Sequence, residues 1–520
     1  MTEPASDFIR LSRIPQASAV AWAIILVLLA LLFLVPIAGQ ATVCVDDFAW
    51  IKLAHATPRF WTSLMQAWSS YFFFRPLDIL TNWFISPSDL RSAPILPFQA
   101  AGLVALMAAV WRLTKALMPA TAMPALIAWI WLLLHPATQL SLWASGATSQ
   151  TWSAAIGMWL LCHVLLEHGN PRSSPRHALR VAALSSLGIL CKELFVGWAS
   201  AAALVVLARS CRLNRLRRPS PPWALSLEFI AILAPPALWI ALRMATSEFG
   251  RFAEPSAELH YSFQGPRTVI WNASLATLGM FVQGPIHWAR LLGFPWKLVP
   301  LAGAFLSFVL AVYGGRLPRP DRAIPDRGNM LAGAVLLGLV SLWPALAIRQ
   351  VSEIYMMGPN ALIAVLVGAG AGAVTLPQQS HAAPEFSPPR LRQGLRMAIM
   401  ALLVIATIGF ASRTHHFTIT WNYARTLRAA ALDLIAREGC SGPIVIVLDR
   451  SLVDGPVHSK YFVPPALAAD LPNSFRAFRL AGVNLPPIAF RGDKEDVSAV
   501  AAQEAVASHL QLAIKKRKIW

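Results

Sequence analysis

Charge is what this chain has least of. Lys, Arg, Asp and Glu together make up 13% of its 520 residues, while hydrophobic residues make up 56%. An ordinary soluble domain carries about 25% charged residues. So little polar material cannot cover a water-facing surface, which excludes a soluble globule. Disorder is excluded for the opposite reason, since it needs low hydrophobicity and high charge. Cysteine is also sparse. Cys44, Cys162, Cys191, Cys211 and Cys440 are scattered with no CxxC pair, which excludes a disulfide framework and a cysteine metal site. Acidic residues number 25 against 44 basic ones, for a net charge of +19. No base-reading motif accompanies the excess. The basic residues sit in short loops between apolar runs, so the positive-inside rule accounts for them and no nucleic-acid partner is expected.

A membrane span needs about 20 apolar residues. The first is 19–39, preceded by Arg10 and Arg13. Its apolar region is longer than the 7–15 residues of a typical signal peptide, so it reads as a retained helix. Further spans are expected at 94–111, 118–135, 149–166, 179–192, 194–208, 223–244, 296–314, 330–348, 358–376 and 397–412. The expected fold class is therefore an all-α polytopic membrane protein with about eleven transmembrane helices. From a cytoplasmic N-terminus at 1–18, the arginine-rich loops at 209–222 and 315–329 fall inside. The longer, less basic segments 40–93, 136–148, 245–295 and 349–357 fall outside. Residues 19–412 form the membrane domain. The proline-rich stretch 377–396 reads as a linker, and 413–520 as a small C-terminal α/β domain outside the cytoplasm. Within it Pro443–Leu448 (PIVIVL) reads as a buried strand and Val497–Ile519 as a helix. The inner, cytoplasmic membrane is the expected location.

In such a chain the informative residues are charges at span ends, because an ionisable group in a spanning helix costs roughly 2.5–3.5 kcal/mol. Asp46 and Asp47 follow the first span in VCVDDFAW. They suit a general base beside a second acid that holds a cation, or they cap a short helix. Arg75, in YFFFRPLDILTNWF, either binds a phosphate with its planar fork or snorkels to the interface. Lys192 and Glu193 lie between two spans in LGILCKELFVGWAS. They form an internal ion pair, or Lys192 awaits an anionic headgroup. Arg349, Glu353 and Tyr355 lie in LAIRQVSEIYMMGP, where Arg349 and Glu353 are spaced to pair on a helix. His135, before Pro136, and Trp143 lie in LLLHPATQLSLWASG. His135 at a span end is more often structural, and Trp143 has the face to stack on a sugar. Most of the 20 tryptophans suit interface belts. All these charges fall on one expected face, where cations suit a lipid-linked phosphate and carboxylates suit activation of a hydroxyl.

The order of these motifs resembles the GT-C superfamily of membrane glycosyltransferases: DD after the first span, then RPL, HP with a following Trp, KE, and a late E-x-Y. It is most similar to the polyprenyl-phosphate-sugar-dependent branch related to bacterial protein O-mannosyltransferases. The resemblance covers about residues 10–430. It implies a hexosyl- or pentosyltransferase that moves a sugar from a polyprenyl-phosphate carrier, with inversion, on the outer face of the membrane. The acceptor is a hydroxyl of a glycan, lipid or protein. It implies Asp46 or Asp47 as the base, and Arg75, Lys192, Glu193, Arg349, Glu353 and Tyr355 at the lipid-phosphate donor. His135 and Trp143 belong to the acceptor side or to the framework. No cofactor is required by the resemblance, and a divalent Mg or Mn at Asp46 and Asp47 stays open. Three positions depart from the pattern: Ile354 stands where relatives often carry Arg, Leu140 where an acid is expected, and Ala147 where an Arg is expected. Two rivals keep the same composition, a lipid-linked-saccharide flippase and a non-catalytic membrane scaffold. A flippase would place its charges near the midplane in two related halves, and no internal repeat is present.

Overall fold

The computed structural model describes residues 51–70, 74–85, 93–119, 122–143, 148–166, 175–215, 222–246, 265–282, 298–315, 330–347, 353–375 and 389–438, except 52 and 56, together with three strands between 444 and 512. The expected span at 19–39, Asp46, Asp47 and Arg349 lie outside these residues. The first elements with described bounds are α1 (Phe60–Ser70) and α2 (Pro76–Trp83). Then come α3 (Leu96–Leu117), α4 (Met123–Leu134), α5 (Pro136–Trp143), α6 (Thr148–Leu166), α7 (Pro175–Cys191), α8 (Phe195–Arg215) and α9 (Pro222–Thr246). They are followed by α10 (Pro266–Gly279), α11 (Leu298–Gly315), α12 (Met330–Ser341), α13 (Trp343–Leu346), α14 (Met357–Thr375) and α15 (Pro389–Glu438). Among the described residues, four segments are long and apolar enough to cross a membrane: Leu96–Leu117, Leu227–Ala245, Met357–Val374 and Gln393–Ala411.

Proline sets many of the boundaries. It opens α2, α5, α7, α9, α10 and α15, where its missing N–H is an orphan in any case and its φ already suits the helix. Pro136 also forces His135 into an extended conformation, with φ −70° and ψ 137°, so α4 ends and α5 leaves at a corner. Pro344 likewise starts the short α13, which splits the expected span 330–348.

Helix α14 is the inner helix. Buried residues make up 94% of its Met357–Val374 stretch, against 28% for Leu227–Ala245 and Gln393–Ala411. It packs against α3, α4, α6, α11, α12 and α15. Its sequence, MGPNALIAVLVGAGAGAVT, lets neighbouring backbones approach closely. A Cβ added at Gly370 would collide with the Leu310 carbonyl of α11, and one added at Gly314 with the Leu366 carbonyl of α14.

Indole N–H groups lock the other seams. Trp152 and Trp159 on α6 each donate at 2.9 Å to carbonyls on α3, those of Phe98 and Ala105. Both pairs step by two helical turns, so α3 and α6 run parallel. Trp131 of α4 donates to Ser307 Oγ of α11 at 3.1 Å. These tryptophans, with the buried Trp198, serve the bundle interior rather than the belts expected from composition.

Inside α9, Pro236 has no N–H to offer the Ile232 carbonyl one turn back. Ser185 Oγ of α7 supplies the missing donor at 2.6 Å. Outward faces carry Leu179, Leu187, Ile230, Leu238, Met397 and Ile408, each more than half exposed, and a hydrocarbon solvent suits them.

Two differences from expectation concern the C-terminal part. The end of the expected linker, the expected span 397–412 and the start of the expected C-terminal domain form one helix: α15 runs unbroken from Pro389 to Glu438. No Gly or Pro occurs from Ala411 to Glu438, so the polarity change there breaks nothing. Beyond it, β1 (Ile444–Leu448) pairs in parallel with β2 (Ile488–Gly492) on one side and β3 (Ser508–Leu512) on the other. The strand expected at 443–448 is the central one. Ser508–Leu512 lies in the expected helix but is a strand, because the β1 edge offers its alternating SHLQL a ladder that local propensity does not weigh.

Candidate active site

The site forms where four chain segments meet: the start of α2, the start of α6, the corner between α7 and α8, and the turn Glu353–Met356 that leads into α14. Pro76 begins α2, so Arg75 sits just before the helix, and Asp78 lies in its first turn. Asp78 is fully buried. Its Oδ1 accepts the Ser149 backbone N–H at 3.2 Å and its Oδ2 accepts the Ser149 hydroxyl at 2.8 Å. Ser149 is the second residue of α6, whose first N–H groups have no partner within the helix. Asp78 therefore caps α6 and ties it to α2.

The corner is built by short-range backbone bonds. Lys192 N–H donates to the Gly188 carbonyl at 3.1 Å, closing α7, and Phe195 N–H donates to the Lys192 carbonyl at 2.9 Å, opening α8. Lys192 and Glu193 project from this corner. Glu193 takes the Arg75 guanidinium in a two-pronged contact: Nε donates to Oε2 at 2.8 Å and Nη2 donates to Oε1. Arg75 Nη1 lies 3.9 Å from Asp78 Oδ2. Lys192, 3% exposed, places Nζ over the Tyr355 ring, 5.0 Å from its centroid.

Electrostatics bind these groups together. Burial pushes the Asp78 carboxyl up to about 6, against the opposing pull of Arg75, Lys192 and the Ser149 bonds. Burial also disfavours ionised Glu193, but the charge and hydrogen bonds of Arg75, and then Lys192, hold its carboxyl below the ordinary range. Burial works against charged Arg75 too, and Glu193 and Asp78 hold it above its usual value. A further cation, Arg243 at the end of α9, donates to the Trp68 carbonyl and lies over the rings of Trp68 and Phe74, 4.9 and 5.8 Å from their centroids. Beside the cluster a small hollow is lined by Gln150, Ser153, Leu194, Trp198, Ser341 and Tyr355.

The fold set around these residues has a counterpart. No protein-family model and no curated protein matches the sequence. The structure is similar to ArnT from Cupriavidus metallidurans bound to undecaprenyl phosphate, with a TM-score of 0.51 at 14% identity. The match covers 94% of this chain and 90% of that one. ArnT in the apo state aligns with a TM-score of 0.48 at 13% identity, over 95% of this chain and 90% of that one. The fold is thus that of a polytopic membrane protein of known architecture.

Of the residues singled out in the sequence, the structure gathers Arg75, Lys192, Glu193 and Tyr355, which come from three distant stretches. Glu353 opens the turn that carries Tyr355. Trp143 ends α5. His135 is tied to the inner helix: its Nδ1 accepts the Ala137 backbone N–H at 3.2 Å and the Asn360 side-chain amide at 2.6 Å. A neutral His135 therefore carries its proton on Nε2. Among the described residues no three His, Cys, Asp or Glu side chains gather as a metal site. Asp46 and Asp47 lie outside them. Sequence reasoning missed Asp78, Ser149 and Arg243. Asp78 stands three residues after Arg75, a spacing that pairs charges across one helical turn and signals it in retrospect. Ser149 carries no such signal.

A second charged cluster closes the far ends of the same helices. His177 Nε2 of α7 is 3.3 Å from Glu228 Oε1 of α9, and Arg209 of α8 also pairs with Glu228 while donating to the Val164 carbonyl at 3.1 Å. His177 and Lys192 are 15 positions apart, or about 22 Å along a helix. The two clusters thus sit at opposite ends of the bundle.

Proposed function

We propose that the chain is a membrane glycosyltransferase that moves a sugar from a polyprenyl-phosphate carrier to a hydroxyl acceptor, with inversion. The observation that carries this reading is the convergence of Arg75 and Lys192 with Asp78, Glu193 and Tyr355 at one end of an apolar bundle. Cations at that depth meet a lipid-borne phosphate. The fold shared with a protein whose structure holds undecaprenyl phosphate supports the same carrier, as does the motif order in the sequence.

In this reading the phosphate lies against Lys192 and the Arg75 fork, with Arg349 as a further contact. Asp46 or Asp47 removes the acceptor proton as the oxygen attacks C1. The C1–O bond to phosphate breaks, and its electron pair stays on the phosphate, where the cations stabilise the growing charge. Tyr355 holds Lys192 in place, and Glu353 is assigned to the donor side by the motif order alone. His135 and Trp143 stand on the acceptor side or in the framework. The reaction takes place on the outer face of the inner membrane, with the 413–520 region outside the cytoplasm.

The test is sugar transfer by purified protein from undecaprenyl-phosphate-linked sugars to extracted envelope glycans and lipids. Lys192→Ala is expected to lower turnover at least ~100-fold. One of Asp46→Asn and Asp47→Asn is expected to do the same. Full turnover in both Asn variants removes the proposed base. Carrier binding without turnover by wild type would favour the flippase reading.

A further inference from the structure

The proposed donor reading leaves a charge problem that the geometry resolves. Two cations, Arg75 and Lys192, face two carboxylates, Asp78 and Glu193, so these four charges already balance before any phosphate arrives, and Arg243 adds one more cation within reach of Glu193. The two carboxylates are held differently. Asp78 is fully buried and fixed by two hydrogen bonds from Ser149. The Glu193 side chain is 17% exposed, sits on a corner rather than inside a helix, and is held by Arg75 alone among the described ion pairs. Its two oxygens fill the same two-pronged fork that a phosphate would take.

Chemistry makes one step awkward. The donor is a phosphodiester with one negative charge. When C1 leaves with the acceptor oxygen, the carrier phosphate keeps the bonding electrons and becomes a monoester, which carries about −1.5 to −2 at pH 7. The product thus binds the cations more strongly than the donor does, and release becomes the difficult step.

We infer that Glu193 is an internal phosphate surrogate that exchanges with the lipid phosphate at the Arg75 fork and drives the spent carrier out. The inference rests on the donor reading above. While the phosphate holds the fork, Glu193 is a half-buried carboxylate without its guanidinium. Its return to Arg75 restores the balance of those four charges and displaces the product. Asp78 stays in place throughout and keeps Arg75 aimed.

The experiment uses the full chain in detergent, titrated with undecaprenyl phosphate, with dissociation followed after dilution. Glu193→Gln keeps the size and one acceptor but removes the competing charge. It is expected to bind undecaprenyl phosphate at least tenfold more tightly than wild type, to release it more slowly, and to be inhibited by it at lower concentration during transfer. Glu193→Asp keeps the charge but is one methylene too short for the two-pronged contact. It is expected to lie between, and it keeps the test open if the Gln variant does not fold. Binding in both variants that is no tighter than wild type overturns the inference while leaving the donor reading standing. Absence of binding in wild type and variants alike overturns both.

Discussion

At the scale of single residues, the cluster's pH behaviour follows from opposite shifts in its two carboxyls. Asp78 titrates near 6 in the folded protein against an ordinary 3.8, so the folded state binds the extra proton between those values. Its contribution to stability therefore falls as pH rises from about 4 to 6. Glu193 is shifted the other way by Arg75. Its contribution is present above the ordinary Glu range near 4.5 and is lost as pH falls through its lowered value. The melting temperature of wild type relative to Asp78→Asn should therefore drop between pH 4 and 6 and level off above about 7. A difference independent of pH would show that Asp78 does not titrate there. The same residues show what sequence can reveal. Arg75, Lys192, Glu193 and Tyr355 stood out because a charge or a polar ring beside apolar spans is expensive. Asp78 and Ser149 did not, because their roles depend on α2 meeting the start of α6, a contact between positions 71 residues apart.

At the scale of elements, two packing devices carry strong expectations. Ser185 donates to the carbonyl that Pro236 leaves without a partner. Ser185→Ala would strand that carbonyl in a buried seam and cost about 1–3 kcal/mol. Ser185→Thr keeps the hydroxyl and should recover part of the loss. Melting in detergent compares the three, and no change on Ser185→Ala would mean that Ile232 finds another donor. Gly314 and Gly370 bring α11 and α14 together without side chains between them. Gly370→Leu should separate the two helices and lower folded yield, whereas Gly333→Leu on α12, where an added Cβ meets nothing within 4 Å, should be tolerated. The bundle helices were legible as apolar runs, and the prolines that open α5, α7, α9, α10 and α15 were not used to place them. The unbroken α15 was not legible, since a change from apolar to polar composition looks like a boundary even where no residue stops the helix. The strand at Ser508–Leu512 was hidden for a related reason: its partner β1 lies about sixty residues earlier in the chain, beyond any local window.

At the scale of the whole molecule, the bundle is a slab with a charged cluster at each end. One end holds Arg75, Lys192 and Glu193, and the other holds His177, Arg209 and Glu228. Arginines crowd the second end, with Arg209, Arg212 and Arg215 in the last turns of α8. In the proposed orientation, which follows the positive-inside rule, that end faces the cytoplasm and the proposed site opens on the opposite face. The proposed outer-face chemistry depends on this orientation. Cysteine labelling decides it. In a cysteine-free background, His177→Cys is expected to react with a membrane-impermeant maleimide only after the cells are permeabilised. Glu353→Cys, at the turn before α14, is expected to react in intact cells. Labelling of His177→Cys from outside would invert the bundle. The donor would then have to be used on the cytoplasmic face, and the sidedness that joins the sequence motifs into one site would lose its explanation.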